Sequence, residues 1–318
     1  MNRRTFLGVA AGLTLADASA QTPPSMPIID THIHLFDTSR PGGVPWPRAD
    51  VPAHKVMYMP SLPSRYRKVV DGLGIVGAIE IECSPWLEDN QWVLDVARDD
   101  DIMVGTVGHL TPGTPEFRPN LERFHKNPLF RGIRYGLGGR AGQEVDRPEF
   151  IADLKALADA DLVMDTANPS VSLLEGVVRV SDRVPNLRLV IDHLPQMLRP
   201  TESAAQASYD ASMKAIRGRP QIYVKVSEVL RRVDDKIPVD LEFYRPRIDE
   251  ILDVFGIDRV LYGSDWPNGD QWLPVPVGFK IVQEYFMGKG RAAAEKYFWR
   301  NSTKAYKWVK RTDSQPQA

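Results

Sequence analysis

The sequence predicts a single-domain α/β protein folded as a (β/α)8 barrel, the TIM-barrel architecture. Short runs of apolar and β-branched residues recur eight times between residues 27 and 267. Segments with the 3.6-residue periodicity of amphipathic helices separate these runs, which favours parallel strands joined by helical crossovers. Each unit takes roughly 30 residues, the size of a strand-helix repeat. Eight repeats is the number that closes a barrel; a doubly wound open sheet is the alternative.

The elements follow one another in a regular order along the chain. The predicted strands are residues 27–35, 77–83, 102–108, 130–135, 162–167, 187–194, 221–227 and 259–264. The helices between them are recognised by apolar stripes, as where Ile248, Ile251, Leu252 and Phe255 recur at i, i+3, i+4 and i+7. A long irregular segment, residues 36–64, follows the first strand. We expect this segment to cover the mouth of the barrel.

The composition is that of an ordinary globular protein. The 318 residues include 40 Lys+Arg and 41 Asp+Glu, with 43% hydrophobic and 25% charged residues. This apolar share excludes a disordered chain. The near-balanced charge gives no bulk attraction to nucleic acid or to a membrane surface. The single cysteine, Cys83, excludes an internal disulfide, so the fold must rest on its core.

The first 20 residues have the pattern of an export signal. Arg3 and Arg4 precede an apolar run at residues 6–16, and residues 18–20 are Ala-Ser-Ala. The run is too short for a membrane span, which needs about 20 residues. The segment resembles a twin-arginine signal, with an uncleaved anchor or a Sec signal as alternatives. We therefore expect a signal peptide at 1–20, a barrel at 21–318 with its core at 27–308, and a bacterial protein in the periplasm or secreted.

These features also predict the partners of the protein. We expect the twin-arginine translocase during export and a small-molecule substrate afterwards. Neither a nucleic acid nor stable membrane insertion is expected, and the sequence leaves a homo-oligomer open.

Polar side chains cluster where the predicted strands end. Active sites of parallel barrels lie at the carboxyl ends of the strands. His32 and His34 are two residues apart on the first strand and so face the same side. His193 near the end of the sixth strand and Asp265 after the eighth can complete a site of three nitrogens and one oxygen. Such a donor set suits Zn2+.

Other polar side chains near the strand ends are candidates for binding the substrate. Glu82 contacts the substrate, forms an ion pair at the bottom of the barrel, or is a solvated loop residue. Arg134 either contacts the substrate or pairs with Asp165 inside the barrel. Lys225 lies within a strand, where a lone charge must have a partner. Trp266, beside Asp265, is expected to line the pocket.

Three motifs carry a resemblance to a known family. They are IDTHIH at 29–34, VIDHL at 190–194 and YGSDWP at 262–267. Together they resemble the amidohydrolase superfamily, in particular the lactonase and metal-dependent-hydrolase branch called amidohydrolase family 2. The resemblance covers about residues 27–308. It implies a (β/α)8 barrel, hydrolysis of lactones or related esters, and usually one divalent metal ion.

The resemblance also implies roles for individual residues. His32 and His34 match the metal ligands of the first strand, and His193 matches a later histidine that binds metal or substrate. Asp265 matches the aspartate that orients or deprotonates the attacking water. Arg134 matches an arginine that holds a substrate carboxylate in some relatives. No lysine ends the fourth strand, where relatives with two metal ions have one, so we expect a single ion, and Zn2+ is the ion expected.

These observations together predict a metal-dependent hydrolase that opens a lactone or related ester, either a sugar-acid lactone or a ring-fission lactone. A metal-activated water would attack the carbonyl carbon, with Asp265 as its base and Lys225 or His193 facing the oxyanion. Glu82, Arg134 and Trp266 would bind the substrate. A metal-dependent decarboxylase is the alternative, and a non-catalytic binding barrel is a third interpretation.

Overall fold

The predicted barrel of eight parallel strands is confirmed. The computed structural model describes residues 26–317, except for the side chains of residues 139–142; the predicted signal peptide at 1–20 lies outside this range. The strands are β1 (Ile28–Ile33), β2 (Ile75–Ile81), β3 (Met103–Gly108), β4 (Phe130–Arg134), β5 (Val163–Thr166), β6 (Arg188–Ile191), β7 (Ile222–Lys225) and β8 (Val260–Leu261). Each strand pairs in parallel with the next along the chain, from β1 to β8.

Helices cover the outside of the barrel. They are α1 (Pro63–Val69), α2 (Leu87–Asp99), α3 (Phe117–Phe124), α4 (Pro148–Asp159), α5 (Val171–Arg183), α6 (Ser203–Arg217), α7 (Leu241–Phe255), α8 (Val275–Gly288), α9 (Arg291–Glu295) and α10 (Asn301–Tyr306). Short 3-10 turns lie at Pro52–His54, Gly139–Asp146, Leu194–Gln196 and Asn268–Gln271, and a π-helical turn lies at Lys296–Arg300. Among the described residues, no helix has both the length and the apolar character needed to cross a membrane.

The last strand closes on the first through backbone hydrogen bonds beyond the short β8. The amide of Thr31 donates to the carbonyl of Tyr262 at 3.0 Å, and the amide of His34 donates to the carbonyl of Trp266 at 2.8 Å. In the opposite direction, the amide of Asp265 donates to the carbonyl of His32 at 2.8 Å. The closure therefore fixes the backbone at the residues predicted to form the site.

A register shift in β1 turns the two histidines into the barrel. Ile29 belongs to the buried cluster inside the barrel, whereas Ile33 packs in the cluster beneath the helices. The pairing of β1 with β2 is irregular between Asp30 and Ile33. One additional residue reverses the alternation of a strand. His32 therefore faces inward although it follows Ile29 by three positions.

The carboxyl-terminal segment forms the floor of the barrel. Ala305 and Tyr306, from α10, are buried in the interior cluster together with Ile29. The side chains of Arg131 and Arg188 donate to the carbonyls of Tyr306 and Ala305, at 3.0 Å and 2.8 Å. Because these arginines lie at the starts of β4 and β6, the segment seals the amino ends of the strands.

Asp30 links β1 to the loop after β8 and to α1. Its side chain is fully buried and accepts hydrogen bonds from the amide of Ser264 at 2.8 Å, the amide of His32 at 3.1 Å and the hydroxyl of Tyr66 at 2.6 Å. We expect Asp30→Ala to lower the free energy of unfolding by about 3 kcal/mol or more, because three buried donors lose a charged acceptor. Urea denaturation measures this change.

Asp71, which is exposed, provides a control for Asp30. Asp71→Ala should change the free energy of unfolding by no more than about 0.5 kcal/mol, as is usual for surface substitutions. Equal stability of the two variants would contradict the role given to Asp30.

Candidate active site

Three imidazole rings surround one carboxylate oxygen at the carboxyl end of the barrel. The Oδ1 atom of Asp265 lies 3.4 Å from His32 Nε2, 3.1 Å from His34 Nε2 and 3.5 Å from His193 Nε2. All four side chains are buried, and His193 is the most exposed at 7%. The structure thus brings together the four residues that the sequence proposes as metal ligands.

Two left-handed backbone positions direct His193 and Asp265 into this cluster. His193 follows β6 with φ of 50°, and Asp265 follows β8 with φ of 59°. Residues other than glycine rarely adopt this region, and they do so mostly at turns and functional sites. At both positions the chain leaves its strand sharply, which places the side chain over the barrel axis.

Three of the four side chains of the cluster also form a hydrogen bond with a residue outside it. His34 Nδ1 lies 2.7 Å from the carbonyl oxygen of Ile81, and His193 Nδ1 lies 2.8 Å from the hydroxyl of Ser227. The Oδ2 atom of Asp265 accepts a hydrogen bond from the side-chain amide of Asn268 at 2.6 Å. Such outer contacts fix ring orientation and are typical of metal-binding histidines.

The surroundings of the cluster favour an ionised carboxylate at Asp265 and neutral imidazoles at His32 and His193. Burial alone would raise the pKa of Asp265, but His193 and the hydrogen bond with His34 outweigh it and hold that pKa below its usual range. Burial and the charge of Lys225 hold the pKa of His32 well below its usual value, and burial also lowers the pKa of His193. Neutral imidazole and ionised carboxylate are the forms that bind metal.

The donor atoms fit one divalent ion. One ring nitrogen of His32, one of His34 and an oxygen of Asp265 lie within 4.8 Å of one another, and His32 Nε2 is buried without a hydrogen-bond partner. Two imidazoles and a carboxylate with an open fourth position are typical of catalytic zinc. Within the described residues, His193 falls in other such groups, one with His32 and Asp192 and one with Glu228 and Asp265.

A buried ionic network lies beneath His32. Lys225 Nζ is 2.6 Å from Asp165 Oδ2, 3.0 Å from Asp192 Oδ1 and 3.1 Å from His32 Nδ1. The hydroxyl of Tyr306 also donates to Asp165 Oδ2, at 2.7 Å. Burial raises the pKa of Asp165 to about 7 even beside Lys225. This position differs from the sequence-based expectation that Lys225 faces a substrate oxyanion, because its three N–H groups point to protein atoms.

Arg134 and Glu82 lie at the upper edge of this network. Arg134 Nε forms an ion pair with Asp192 Oδ2 at 3.1 Å, and its Nη1 donates to the carbonyl of Glu82 at 3.2 Å. Of the two interpretations of Arg134, the structure shows the ion pair, although with Asp192 instead of Asp165. The side chain of Arg134 remains 14% exposed, so contact with a substrate stays a prediction.

A pocket open to solvent adjoins the histidine cluster without including it. Glu82, Trp46 and Trp92 line it, and the buried carboxyl of Glu80 lies in its wall. Trp46 belongs to the irregular segment after β1, and its ring lies 5.4 Å from that of His34. The segment therefore covers His34, as the sequence analysis expects, and Glu82 lies beside the cluster.

Trp266 does not line the pocket, contrary to the prediction. Its side chain is fully buried, with its ring 5.3 Å from that of Tyr66 and beneath the guanidinium of Arg65. The left-handed turn at Asp265 sends the next residue to the outside of the barrel. Trp266 is a packing residue of the helical layer.

Two carboxylates near the site escaped the sequence analysis as candidates. Asp192 pairs with Lys225 and Arg134, which together with His32 hold its pKa well below its usual value against the effect of burial. Glu228 lies 4.0 Å from His193 Nδ1 and accepts a hydrogen bond from Trp272 Nε1 at 2.9 Å. Burial and the charge of Asp265 raise the pKa of Glu228 to about 8. Asp192 adjoins His193, and Glu228 directly follows the predicted strand at 221–227. A polar residue at a strand end is the signal that could have identified both.

Known proteins match most of this chain in sequence. The profile of the family Amidohydro_2, described as amidohydrolase, matches residues 29–308. An L-fucono-1,5-lactonase of Burkholderia ambifaria is 26% identical over 240 residues, which are 75% of this chain and 80% of that protein. An L-rhamnono-gamma-lactonase of Scheffersomyces stipitis is 21% identical over 214 residues, 59% of this chain and 61% of the other.

Solved structures share the fold. A crystal structure of an amidohydrolase from Burkholderia multivorans with bound zinc has a TM-score of 0.75 and 20% identity, covering 89% of this chain and 99% of that one. A manganese complex of 5-carboxyvanillate decarboxylase from Novosphingobium aromaticivorans has a TM-score of 0.65 and 17% identity, covering 89% and 96%. At these identities the likeness establishes the barrel architecture.

Proposed function

The chain belongs to the amidohydrolase family, and from this premise we propose that it hydrolyses lactones of sugar acids. The observation that carries the proposal is the carboxylate of Asp265 within 3.5 Å of three buried imidazoles. Such an arrangement suits acyl hydrolysis by water, because it joins a proton acceptor to a set of metal donors. The two lactonases that the chain resembles support a cyclic ester as the substrate.

We propose that His32, His34 and Asp265 hold one divalent ion, with Zn2+ as the ion that the donor set favours. When bound, a divalent ion of this kind supplies Lewis acidity, which lowers the pKa of water and polarises a carbonyl group. His193 lies at the same oxygen of Asp265. It is therefore placed to contact the ion or the substrate.

The residues of the chain then perform the proton transfers. Asp265 accepts a proton from the water that attacks the carbonyl carbon of the lactone. The ring C–O bond breaks, and Asp265 returns that proton to the leaving oxygen, so that the product is an open-chain hydroxy acid. The carbonyl of Ile81 prevents His34 from rotating out of this arrangement. Glu82 and Arg134, beside the cluster, are placed to bind hydroxyl or carboxylate groups of the substrate.

A panel of sugar 1,4- and 1,5-lactones, assayed with a pH indicator, tests the proposal. We expect acid release from at least one sugar lactone at a rate well above spontaneous hydrolysis. Absence of acid release, together with CO2 release from aromatic carboxylates, would overturn the lactonase proposal in favour of a decarboxylase.

Arg134→Met tests whether the guanidinium binds substrate or only stabilises the barrel. Because Asp192 loses a buried partner, we expect the free energy of unfolding to fall by about 3 kcal/mol. Catalytic efficiency should fall for neutral and carboxylated lactones alike, as measured by kcat/KM on the folded protein. A stable variant with raised KM for carboxylated lactones alone would instead identify Arg134 as the ligand of a substrate anion.

We propose that the protein is exported by the twin-arginine translocase and loses residues 1–20. Replacing Arg3 and Arg4 by lysine together should leave the precursor in the cytoplasm, because that translocase reads the arginine pair. Cell fractionation and amino-terminal sequencing measure the outcome. Accumulation in the periplasm of variant protein beginning near Gln21 would contradict this route.

A further inference from the structure

The side chain of Glu80 holds a buried acceptor that has no donor. Glu80 lies near the end of β2 and is 1% exposed, and its Oε1 atom has no hydrogen-bond partner among the described residues. The neighbouring Ile79 and Ile81 pack inside the barrel, so Glu80 points to the helical side of the sheet. A buried polar group without a hydrogen bond costs free energy. A ligand that brings a donor to this position removes that cost.

The pocket beside the histidine cluster gives a ligand access to Glu80. Glu80 lies in its wall together with Trp46, Trp92 and Phe130. Trp46 also adjoins the cluster, with its ring 5.4 Å from that of His34. The pocket therefore begins beside the cluster. Apolar and aromatic walls with a few polar groups that fix orientation are typical of sites for small molecules.

Other polar side chains of the pocket are already bonded to the protein. The side-chain amide of Asn90 exchanges two hydrogen bonds with the backbone of His109, at 2.8 and 2.9 Å. The hydroxyl of Thr106 donates to the carbonyl of Leu129 at 3.3 Å. Glu80 therefore remains available as an acceptor for a ligand.

The charge of the pocket disfavours an anion. The carboxyl groups of Glu80, Glu82 and Asp89 line it. Arg40 also lines it, but its Nη2 donates to Asp89 Oδ2 at 2.8 Å and its Nε donates to the carbonyl of Gly43 at 2.9 Å. Burial and the charge of Glu82 raise the pKa of Glu80 well above its usual range. A carboxyl group accepts a hydrogen bond from a hydroxyl in either protonation state, whereas a ligand carboxylate would face like charge.

We propose that Glu80 determines specificity by accepting a hydrogen bond from the hydroxyl group at the end of the open carbon chain of the substrate. The lactone ring lies at the histidine cluster, and the chain that it carries passes along Trp46 into the pocket. Neutral lactones whose chain ends in CH2OH are thereby selected over those that end in a methyl group or a carboxylate. That the ligand is a lactone rests on the proposed function; the acceptor in the pocket does not.

Three sugar lactones that share ring size and configuration, and differ only at the end of the chain, test this selection. For the wild-type enzyme we expect kcat/KM to be highest with CH2OH. It should be at least about tenfold lower with a methyl group, because Glu80 then lacks its donor. It should be at least about 100-fold lower with a carboxylate, because like charges meet.

Glu80→Leu removes the acceptor. In this variant, kcat/KM for the CH2OH and methyl lactones should agree within about threefold, since no hydrogen bond distinguishes them. Equal efficiency of the wild-type enzyme with these two lactones would overturn the inference. A wild-type preference that persists in Glu80→Leu would overturn it as well.

Glu80→Gln separates charge from hydrogen bonding. The amide oxygen still accepts a hydrogen bond, and the amide nitrogen can donate one. We therefore expect the preference for CH2OH over methyl to remain, while discrimination against the carboxylate falls at least about tenfold. Glu88→Gln is the matched control, because Glu88 pairs with Arg123 at the surface at 2.9 Å, and it should change none of these ratios. Undiminished discrimination in Glu80→Gln would overturn the charge selection assigned to Glu80.

Thermal denaturation tests whether Glu80 instead serves the scaffold. Because its Oε1 atom has no partner among the described residues, Glu80→Leu and Glu80→Gln should not lower Tm. A fall in Tm of more than about 5 °C in both variants, with equal loss of activity on all three lactones, would assign Glu80 a structural role and overturn the inference.

Sugar lactams, in which a ring N–H replaces the ring oxygen, make the test independent of hydrolysis. By calorimetry, we expect the lactam ending in CH2OH to bind the wild-type protein at least about tenfold more tightly than the methyl lactam, and both to bind Glu80→Leu equally. This result with an inactive lactone panel would overturn the proposed function and leave the inference standing. Lactone hydrolysis without preference for a chain end, or lactams of equal affinity for the wild-type protein, would overturn the inference alone.

Discussion

Asp265→Asn is expected to lower kcat for lactone hydrolysis by at least about 100-fold, the scale of a single general base. The amide has the size of the carboxylate and retains an oxygen near His34, but it cannot accept the proton of the attacking water. The wild-type side chain remains ionised at neutral pH, because its pKa lies below the usual range. Steady-state kinetics on the purified variant measure the change.

The control must separate chemistry from folding. A carboxyl whose pKa is lower in the folded state stabilises the protein above its unfolded pKa of about 3.9, and this contribution disappears as the pH falls through the folded value. Asp265→Asn therefore also lowers stability at neutral pH, and kcat must be referred to the folded fraction. The matched variant Asp270→Asn, which alters a carboxylate paired with Arg65 at 3.8 Å, should retain kcat within about twofold. A kcat of Asp265→Asn within tenfold of wild type would show that another group is the base.

His32→Ala and His34→Ala together should abolish both Zn2+ binding and activity. The pair supplies two of the three donor atoms that lie within 4.8 Å of one another with Asp265. Their loss also removes two imidazole nitrogens that lie 3.4 Å and 3.1 Å from the Oδ1 atom of Asp265. We expect a fall in kcat of at least about 1,000-fold, within the range of positioned proton-transfer groups. Elemental analysis of the purified protein and the lactone assay measure the two effects.

The double variant His109→Ala, His125→Ala is the control for this experiment. It also removes two imidazoles, but both lie outside the cluster. His125 bonds only its own helix, through the carbonyl of Leu121 at 2.9 Å, so this variant should keep metal and activity. Full activity of the metal-free His32/His34 double variant would place catalysis on Asp265 without an ion. Loss of metal with retained activity would lead to the same conclusion.

The barrel could be predicted from the sequence because the same pattern of strand and helix recurs along the chain. Each strand is a short apolar run, and each helix has an apolar stripe, so the order of elements follows without knowledge of any contact. The convergence of His32, His34, His193 and Asp265 followed from the rule that strand ends meet at one edge of a parallel sheet. The additional residue in β1 could not be predicted, since it shows only in the pairing of β1 with β2.

The position of Trp266 and the partners of Lys225 could not be predicted from the sequence, because they depend on the fold of the backbone and on contacts between distant residues. Trp266 was placed in the pocket because it adjoins Asp265, yet the left-handed backbone at Asp265 separates the two side chains. Lys225 was recognised as a charge in need of a partner, but its partners lie 60 and 33 positions away, at Asp165 and Asp192. A lone carboxylate inside an apolar run, such as Asp192 in VIDHL, is the signal that predicts such a partner.

The ionic network of the site is complete only when the segment that forms the floor of the barrel has been synthesised. Tyr306, which bonds Asp165 directly beneath Lys225, follows every residue of the histidine cluster in the order of synthesis. Domains begin to form from their amino-terminal parts during synthesis, but here the ionic network waits for a residue that lies 41 positions after Asp265. A product of premature termination before Tyr306 would keep every residue of the histidine cluster. It would nevertheless leave the buried carboxylate of Asp165 open to water from below.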